Sequence, residues 1–263
     1  MTCSGQHAFI RFPTLGAFQS HPFTICSLPH PQRGTESVMV LVARCHNGTT
    51  KTLFNAVEEQ GEHQRASSSD DSLADGDSMQ KHSQSRENAV LHTGAIAIPA
   101  VIDGPYGEDG RIRVYDEALL IAGGIGITRI LPIILDVCTA RRAGDLQLRR
   151  LKLVWSLRSD GLLHWFAPQL EAARDALKEL DIAADFTVHI TRQEATSVPK
   201  CSFADVADGR PDVQDLVRTA MQTAESNHAQ SLHVTVCGPG SLNDECANAV
   251  SSAEWAILSG KSS

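Results

Sequence analysis

The sequence is poor in aromatic residues, has no long apolar run and carries no excess of basic charge. Only 5% of its 263 residues are aromatic, and 23 lysines and arginines face 31 acids, for a formal charge of −8. An acidic chain lacks the clustered cations that attract nucleic acid or anionic lipid, so nucleic acid is not expected as a partner. The longest apolar stretch, residues 121–137, is interrupted by glycines, Arg129, Pro132 and Asp136. It falls short of the roughly 20 apolar residues of a membrane helix, so we expect the chain alone to be soluble.

The cysteines form no C-x-x-C pair. Their seven positions are 3, 26, 45, 138, 201, 237 and 246. An odd number of widely spaced cysteines is typical of reduced thiols in the cytosol, and not of a disulfide framework or a zinc site. We therefore expect no disulfide partner and no metal. The first residues have neither a basic nor an apolar signal region, so no secretory signal is expected.

Residues 58–88 have the composition of a disordered insertion. They contain seven serines, eight acids and three bases, with no aromatic and no β-branched residue. Such a segment cannot bury enough apolar surface to offset its ordering entropy. Its net charge of −5 accounts for most of the acidity of the chain, so the folded remainder is expected to be nearly neutral.

The N-terminal part of the sequence has a β pattern. Short β-rich runs separated by Pro and Gly clusters are typical of a small antiparallel sheet or barrel. The Asp103-Gly-Pro-Tyr-Gly107 segment is predicted as a turn from its composition. The runs lie at residues 8–12, 23–27, 37–44 and 95–102.

From residue 117 onward, apolar strand-like runs alternate with helical patterns. This alternation implies right-handed crossovers and a parallel, doubly wound sheet whose ligand site lies at the C-terminal ends of its strands. The predicted fold class is α/β plus β, with a partial antiparallel barrel in residues 1–113 and a doubly wound parallel-sheet domain in residues 114–263. Strands are predicted at 118–122, 151–155, 186–190 and 232–237, and helices at 128–142, 162–180 and 213–225.

The sharpest local motif is Ala122-Gly-Gly-Ile-Gly-Ile-Thr128, directly after the first strand of the second part. Glycines there let the backbone approach a pyrophosphate, and the N-terminus of the following helix supplies free N–H groups. The motif is not a full G-x-G-x-x-G, because Thr128 stands near the place of a third glycine. Taken alone, it fits equally well a glycine turn that serves only close packing of strand and helix.

Six motifs in a fixed order carry a resemblance to a known family. They are His21-Pro-Phe-Thr24, Asn47-Gly-Thr-Thr-Lys-Thr-Leu53, Asp103-Gly-Pro-Tyr-Gly107, Gly123-Gly-Ile-Gly-Ile-Thr128, Trp155-Ser-Leu-Arg158 and Cys237-Gly-Pro239. Together they resemble the ferric reductase/NADPH oxidase family of the ferredoxin reductase-like superfamily. More narrowly, they resemble the cytosolic flavin and NADPH portion of a fungal ferric-chelate reductase.

The resemblance implies that residues 1–113 bind FAD. Thr24 would hydrogen-bond the flavin edge, where a hydroxyl can donate or accept as the flavin changes its redox state. Phe23 would pack along the flavin, His21 would lie near the pyrophosphate, and Thr49 replaces the usual Trp of the family. The implied FAD-binding residues are His21, Pro22, Phe23, Thr24, Gly48, Thr49, Thr50, Gly104 and Pro105.

The resemblance also implies that residues 114–263 bind NADPH, with Cys237 beside the nicotinamide carbon from which hydride leaves. Cys237 and Thr24 are therefore the candidate catalytic residues, and a buried core cysteine is the alternative for Cys237. Arg158 and Arg192 follow predicted strands, and a guanidinium can grip the 2′-phosphate of NADPH bidentately. For either arginine alone, a solvated surface role is the alternative. The implied NADPH-binding residues are Gly123, Gly124, Gly126, Thr128, Arg158, Arg192, Cys237, Gly238 and Pro239.

The implied activity is hydride transfer from NADPH to FAD. In the intact family member electrons then pass through haem to ferric iron or another acceptor, and the haem belongs to a membrane domain that this chain lacks. The implied location is the cytosolic face of a membrane. Two alternatives stay open, a superoxide-producing oxidase and a catalytically incomplete nucleotide-binding fragment whose barrel has an open edge.

Three histidines and one tryptophan carry no assigned function in the predicted site. His164, His189 and His233 are predicted as core or surface histidines, because nothing pairs them at metal-ligand spacing. Whether Trp255, the one aromatic residue near the C-terminus, covers the flavin is left open.

Overall fold

The structure is a computed structural model, and two compact units are distinguished within it. One unit comprises Met1–Ala8, Thr24–Val42 and Pro105–Ser263, and the other Phe9–Phe23 and Ala43–Gly104. The residues that the structure describes are 4–15, 19–28, 38–68, 96–107, 110, 112–143, 146–192 and 201–259.

A small antiparallel sheet is formed by strands β1 (His7–Arg11), β2 (His21–Thr24) and β3 (Val101–Tyr106), in the order β2-β1-β3. In β1, Ala8 and Ile10 are buried and their neighbours are not, which is the two-residue period of a strand with one covered face. The predicted strand near residues 37–44 is wrong within its described part, which forms a single bridge between Ile25 and Leu41.

The predicted turn at Asp103-Gly-Pro-Tyr-Gly107 is also wrong, because β3 extends through Tyr106. Pro105 needs no ladder partner for its nitrogen at an edge strand, and β3 is an edge of its sheet. Gly104 adopts a φ of +139°, which favours glycine. Composition alone does not separate such an edge strand from a turn.

Helix α1 (Thr49–Ser68) extends into the predicted disordered insertion at 58–88, and that prediction is wrong for its first part. Residues 58–68 are helical, and residues 69–88 lie outside the described residues. Glu, Gln, Ala and Arg are good helix formers, so a segment without a core-forming pattern can still continue a helix that has started. The start is at Gly48, whose carbonyl accepts from the N–H groups of Lys51 and Thr52, each at 3.0 Å.

The larger sheet confirms the predicted doubly wound architecture. In the described part of the chain five strands pair in parallel, in the order β7-β6-β5-β4-β8. They are β4 (Glu117–Gly123), β5 (Arg150–Leu157), β6 (Ala183–Ile190), β7 (Asp205–Asp208) and β8 (Leu232–Cys237). The helices are α2 (Ile127–Ala143), α3 (Leu163–Glu179), α4 (Val213–Ser226) and α5 (Gly240–Leu258).

Strand β4 lies at the centre of this core and is buried at all seven positions. Its Leu120 and Ala122 pack in one apolar cluster with residues of α2 and α3. Its Leu119 and Ile121 pack in a second cluster with residues of α4 and α5. The alternation of side chains along the strand therefore gives β4 a helical layer on each face. The short β7 and the helix α5 have no counterpart among the sequence-based predictions.

Candidate functional site

The topological switch point of the parallel sheet lies between β4 and β8. Strand β5 follows β4 in the chain and pairs with one side of it, whereas β8 pairs with the other side. In doubly wound folds, ligands bind outside the C-terminal ends of the strands at this point. Ala122 pairs with Cys237 across the two strands, so the structure brings together the glycine motif and the Cys237-Gly-Pro239 motif.

The two motifs pack backbone against backbone. A Cβ atom added at Gly126 would lie 2.0 Å from the carbonyl oxygen of Cys237. One added at Gly123 would lie 2.8 Å from Cδ of Pro239 and 3.2 Å from Cα of Gly238. Close packing therefore requires both glycines: Gly126 against the end of β8, and Gly123 against the turn after β8 and Leu242 of α5.

Gly124 differs from its neighbours. Its φ is +55°, in the left-handed region, and among the described residues no atom lies within 4 Å of an added Cβ. Its backbone therefore borders open space at the start of the 3-10 turn Gly124–Gly126, which leads into the N-terminus of α2. The arrangement fits a dinucleotide pyrophosphate, which needs close backbone approach and free N–H donors.

Two side chains hold this turn in place. Trp155 is fully buried on β5, and its Nε1–H donates to the carbonyl of Gly124 at 2.9 Å. Thr128 is 4% exposed, and its hydroxyl donates to the carbonyl of Ile125 at 2.9 Å. The structure thus gives the predicted phosphate ligand Thr128 a role in bracing the loop. Trp155 was part of a recognised motif, but sequence reasoning gave it no role in the site.

Cys237 is partly buried at the end of β8. Burial raises the pKa of its thiol above the ordinary value, and the positive charge of Arg129 partly opposes that rise. The thiol is therefore protonated and uncharged near neutral pH. Sequence reasoning missed Arg129, whose Nη1 also donates to the carbonyl of Gly5 at 2.8 Å. The available signal was its place directly after the glycine motif, in the first turn of α2.

Arg158 and Arg192 lie beside each other just beyond the C-terminal ends of β5 and β6. The N–H of Arg192 donates to the carbonyl of Arg158 at 3.1 Å, and both side chains are exposed. Within the described ranges, neither guanidinium forms an ion pair with an acidic side chain. Two exposed cations thus share the ligand-binding edge of the sheet.

His164, His189 and His233 lie in three separate environments. His189 Nδ1 lies 3.3 Å from the carbonyl of Gly209, and His233 Nε2 lies 2.8 Å from Oγ1 of Thr235. Burial lowers the pKa of both imidazoles. His164 is exposed. Over the described residues, no group of three or more His, Cys, Asp or Glu side chains is arranged to hold a metal ion.

The His21-Pro-Phe-Thr24 motif contacts the Asn47–Leu53 motif at the start of α1. Nε2 of His21 on β2 lies 2.8 Å from Oγ1 of Thr49. The hydroxyl of Thr50 accepts from the N–H of His46 at 2.9 Å and donates to its carbonyl at 3.1 Å. Gly48 has a φ of +88°, and an added Cβ would have no described atom within 4 Å. The structure thus places His21 beside the first residue of α1.

The remaining predicted residues have simpler settings. On β2, Phe23 and Thr24 are half-buried and Pro22 is exposed. In β3, Gly104 is exposed and Pro105 is half-buried. Trp255 on α5 is 63% exposed. The cysteines of the described ranges are all free thiols, and Cys3 lies outside those ranges.

Comparison with known proteins identifies two domain families. The ferric reductase NAD binding domain matches residues 115–200 and 193–251, and an FAD-binding domain matches residues 1–110. Ferredoxin reductase in carbazole 1,9a-dioxygenase shares the fold with a TM-score of 0.54 at 13% identity, over 94% of this chain and 56% of that chain.

Two relatives from Schizosaccharomyces pombe (strain 972 / ATCC 24843) match most of the chain. Ferric reductase transmembrane component 1 is 29% identical in an alignment of 255 residues that covers 91% of this chain and 43% of that protein. Ferric/cupric reductase transmembrane component 2 is 25% identical in an alignment of 272 residues that covers 94% of this chain and 45% of that protein. The chain therefore spans less than half the length of either relative.

No helix in the described part of the chain combines the length and the apolar character needed to cross a membrane. The two matched domains cover the small antiparallel sheet and the parallel sheet with its switch point. The chain belongs to the ferric reductase family, and it carries that family's FAD-binding and NAD-binding domains.

Proposed function

We propose that this chain is an oxidoreductase module that takes electrons from NADPH and delivers them, through FAD, toward ferric iron. Residues 1–113 form the flavin part and residues 114–263 form the NADPH part. When bound, NADPH supplies a hydride and FAD accepts two electrons that it can release singly. The chain itself holds NADPH and FAD in position and supplies the charged and polar groups around them.

The packing at the switch point is the observation that supports this function. Gly126 is glycine because the end of β8 occupies the place of a side chain, and Gly123 is glycine because Pro239 and Leu242 do so. Gly124 presents bare backbone to open space at the start of α2. A dinucleotide pyrophosphate requires such bare backbone beside a helix N-terminus at the switch point.

The reacting ends of the two cofactors are assigned to Cys237 and Thr24. Cys237 closes β8 beside Gly238 and Pro239, and its protonated thiol offers a neutral surface to the nicotinamide. Thr24 ends β2, where its hydroxyl can donate to or accept from the flavin edge. These two side chains orient the rings, and neither has to move a proton.

Arg158 and Arg192 are assigned to the 2′-phosphate of NADPH. Two exposed arginines, joined by a backbone hydrogen bond just beyond the C-terminal ends of β5 and β6, suit a dianionic phosphate better than the bare hydroxyl of NADH. The support is that both arginines lie at the same edge of the sheet. A solvated surface arginine gains nothing from a second cation beside it.

The acceptor side of the proposal follows the relatives, which are named transmembrane components of ferric reductases. In an intact protein of that kind, a haem-carrying membrane domain would take the electrons onward to a ferric chelate. The described chain would then lie at the cytosolic face of the membrane.

The proposal is tested by adding FAD to the purified chain and following NADPH oxidation with a ferric chelate or a dye as acceptor. Stoichiometric FAD binding and acceptor-dependent NADPH consumption are expected. A chain that holds no flavin and oxidises no NADPH would overturn the enzyme assignment and leave the alternative of a catalytically incomplete nucleotide-binding fragment. Turnover in air that yields superoxide in place of reduced chelate would favour the oxidase alternative.

The coenzyme assignment is tested with Arg158→Ala and NADH in parallel. Loss of one charge-assisted hydrogen bond of about 1.5–3 kcal/mol should weaken the preference for NADPH over NADH by at least about ten-fold. Arg149→Ala is the matched control, because Arg149 precedes β5 at the opposite end of the sheet and its side chain is 76% exposed. An unchanged preference in Arg158→Ala would contradict the assignment.

A further inference from the structure

The hydrogen bond between His21 and Thr49 joins two segments that lie 28 residues apart in the sequence. It connects the first residue of β2 to the first residue of α1 at 2.8 Å. Both residues are half-buried, so the contact is partly protected from competing water. Neither local pattern nor composition indicates this pair.

The threonine hydroxyls at the start of α1 have different partners. Thr50 binds back to the N–H and carbonyl of His46, at 2.9 and 3.1 Å. Thr52 donates to the carbonyl of Gly48 at 3.3 Å. Both hydroxyls thus serve the turn that begins the helix. Of these three threonines, Thr49 is the one whose hydroxyl reaches another element.

We propose that Thr49 is a positioning residue that holds the imidazole of His21 by Nε2, so that Nδ1 is the ring nitrogen left to contact bound FAD. This inference rests on the proposed function, because it requires that β2 and the start of α1 bind FAD. When the Thr49 hydroxyl donates to Nε2, Nδ1 carries the proton and is a donor suited to an anionic phosphate oxygen. A ring that is already oriented loses less freedom when the ligand binds.

The first test compares FAD affinity, measured by flavin fluorescence, among three variants. Thr49→Val keeps the branched shape but removes the hydroxyl, and should weaken FAD binding about five-fold, as expected for one lost hydrogen bond. Thr49→Ser restores the hydroxyl and should return the affinity to near the wild-type value. Thr52→Val is the matched control, because it removes a hydroxyl of the same helical turn that bonds only locally.

A double-mutant cycle shows whether Thr49 acts through His21. In a His21→Ala background, Thr49→Val should cause no further loss of FAD affinity, because the ring that it positions is gone. The ¹⁵N shift of Nε2 of His21 gives a readout that needs no FAD. It should move in Thr49→Val and stay unchanged in Thr52→Val.

The results separate this inference from the function on which it rests. Wild-type chain that binds no FAD overturns the proposed function and the inference with it. Wild-type chain that binds FAD, with Thr49→Val binding equally well, overturns the inference alone. An equal loss from Thr49→Val with and without His21 shows that Thr49 acts independently of the imidazole, which also overturns it.

Discussion

Gly126 has no room for a side chain, and Gly126→Ala tests the packing of the switch point. The new Cβ would lie 2.0 Å from the carbonyl oxygen and 2.6 Å from the carbonyl carbon of Cys237. Real Cβ atoms essentially never approach closer than 3.0 Å, so the end of β8 must retreat by about 1 Å. The obstacle is backbone in a parallel ladder and cannot rotate away as a flexible side chain could.

The expected destabilisation follows from two contributions. Overpacking in a tight core costs about 1–3 kcal/mol, and weakening a ladder hydrogen bond beside Ala122 and Cys237 adds about 1 kcal/mol. A total of about 3 kcal/mol should lower Tm by about 6–12 °C in a protein of this size. Differential scanning calorimetry measures the change in Tm, and urea unfolding measures the change in the free energy of unfolding.

Two other glycines give graded controls for Gly126→Ala. Gly124→Ala meets no described atom within 4 Å but holds a φ of +55°, so it should cost about 1–2 kcal/mol. Gly161→Ala has neither a close atom nor a positive φ, and should change stability by less than about 0.5 kcal/mol. A Tm for Gly126→Ala within about 2 °C of wild type would refute the packing of the glycine turn against β8.

Two more substitutions test contacts at the same edge of the sheet. Arg129→Gln removes the positive charge that lowers the pKa of Cys237, so that pKa should rise further. Alkylation of the Cys237 thiol by iodoacetamide should then require a higher pH. An unchanged pH profile would contradict the electrostatic interaction between Arg129 and Cys237. Trp155→Phe leaves the carbonyl of Gly124 without its 2.9 Å donor and should cost about 1–3 kcal/mol in urea unfolding. Trp165→Phe, at a side chain that is 60% exposed, should have almost no effect, and an equal loss in both variants would refute the role of the buried indole.

The parallel sheet was predictable from the sequence because its signal is local. A strand buried on both faces is a short apolar run, and the predicted strand at 118–122 lies within β4 (Glu117–Gly123), which is buried at all seven positions. The amphipathic α3 buries Leu163, Phe166, Leu170 and Leu177 at helical spacing, within the predicted helix. Both patterns depend on neighbours in the chain, so composition and periodicity suffice to detect them.

The N-terminal part was less predictable because its elements lack that signal. Gly104 and Pro105 are typical turn residues, yet they lie in a strand because an edge position needs no N–H from proline. Residues 58–68 are too polar to form a core, yet they continue a helix whose start is set at Gly48. Composition reports whether a segment can bury apolar surface, and not whether a helix extends into it.

The sequence by itself determined that a glycine turn follows a buried strand and opens a helix, which is a local pattern of backbone freedom. Only the tertiary structure decided why those residues are glycine, because the carbonyl of Cys237 fills the place of the Gly126 side chain. The pairing of His21 with Thr49 was likewise decided in three dimensions. Strand order and contacts between distant segments arise when the chain closes on itself, so no window of neighbouring residues contains them.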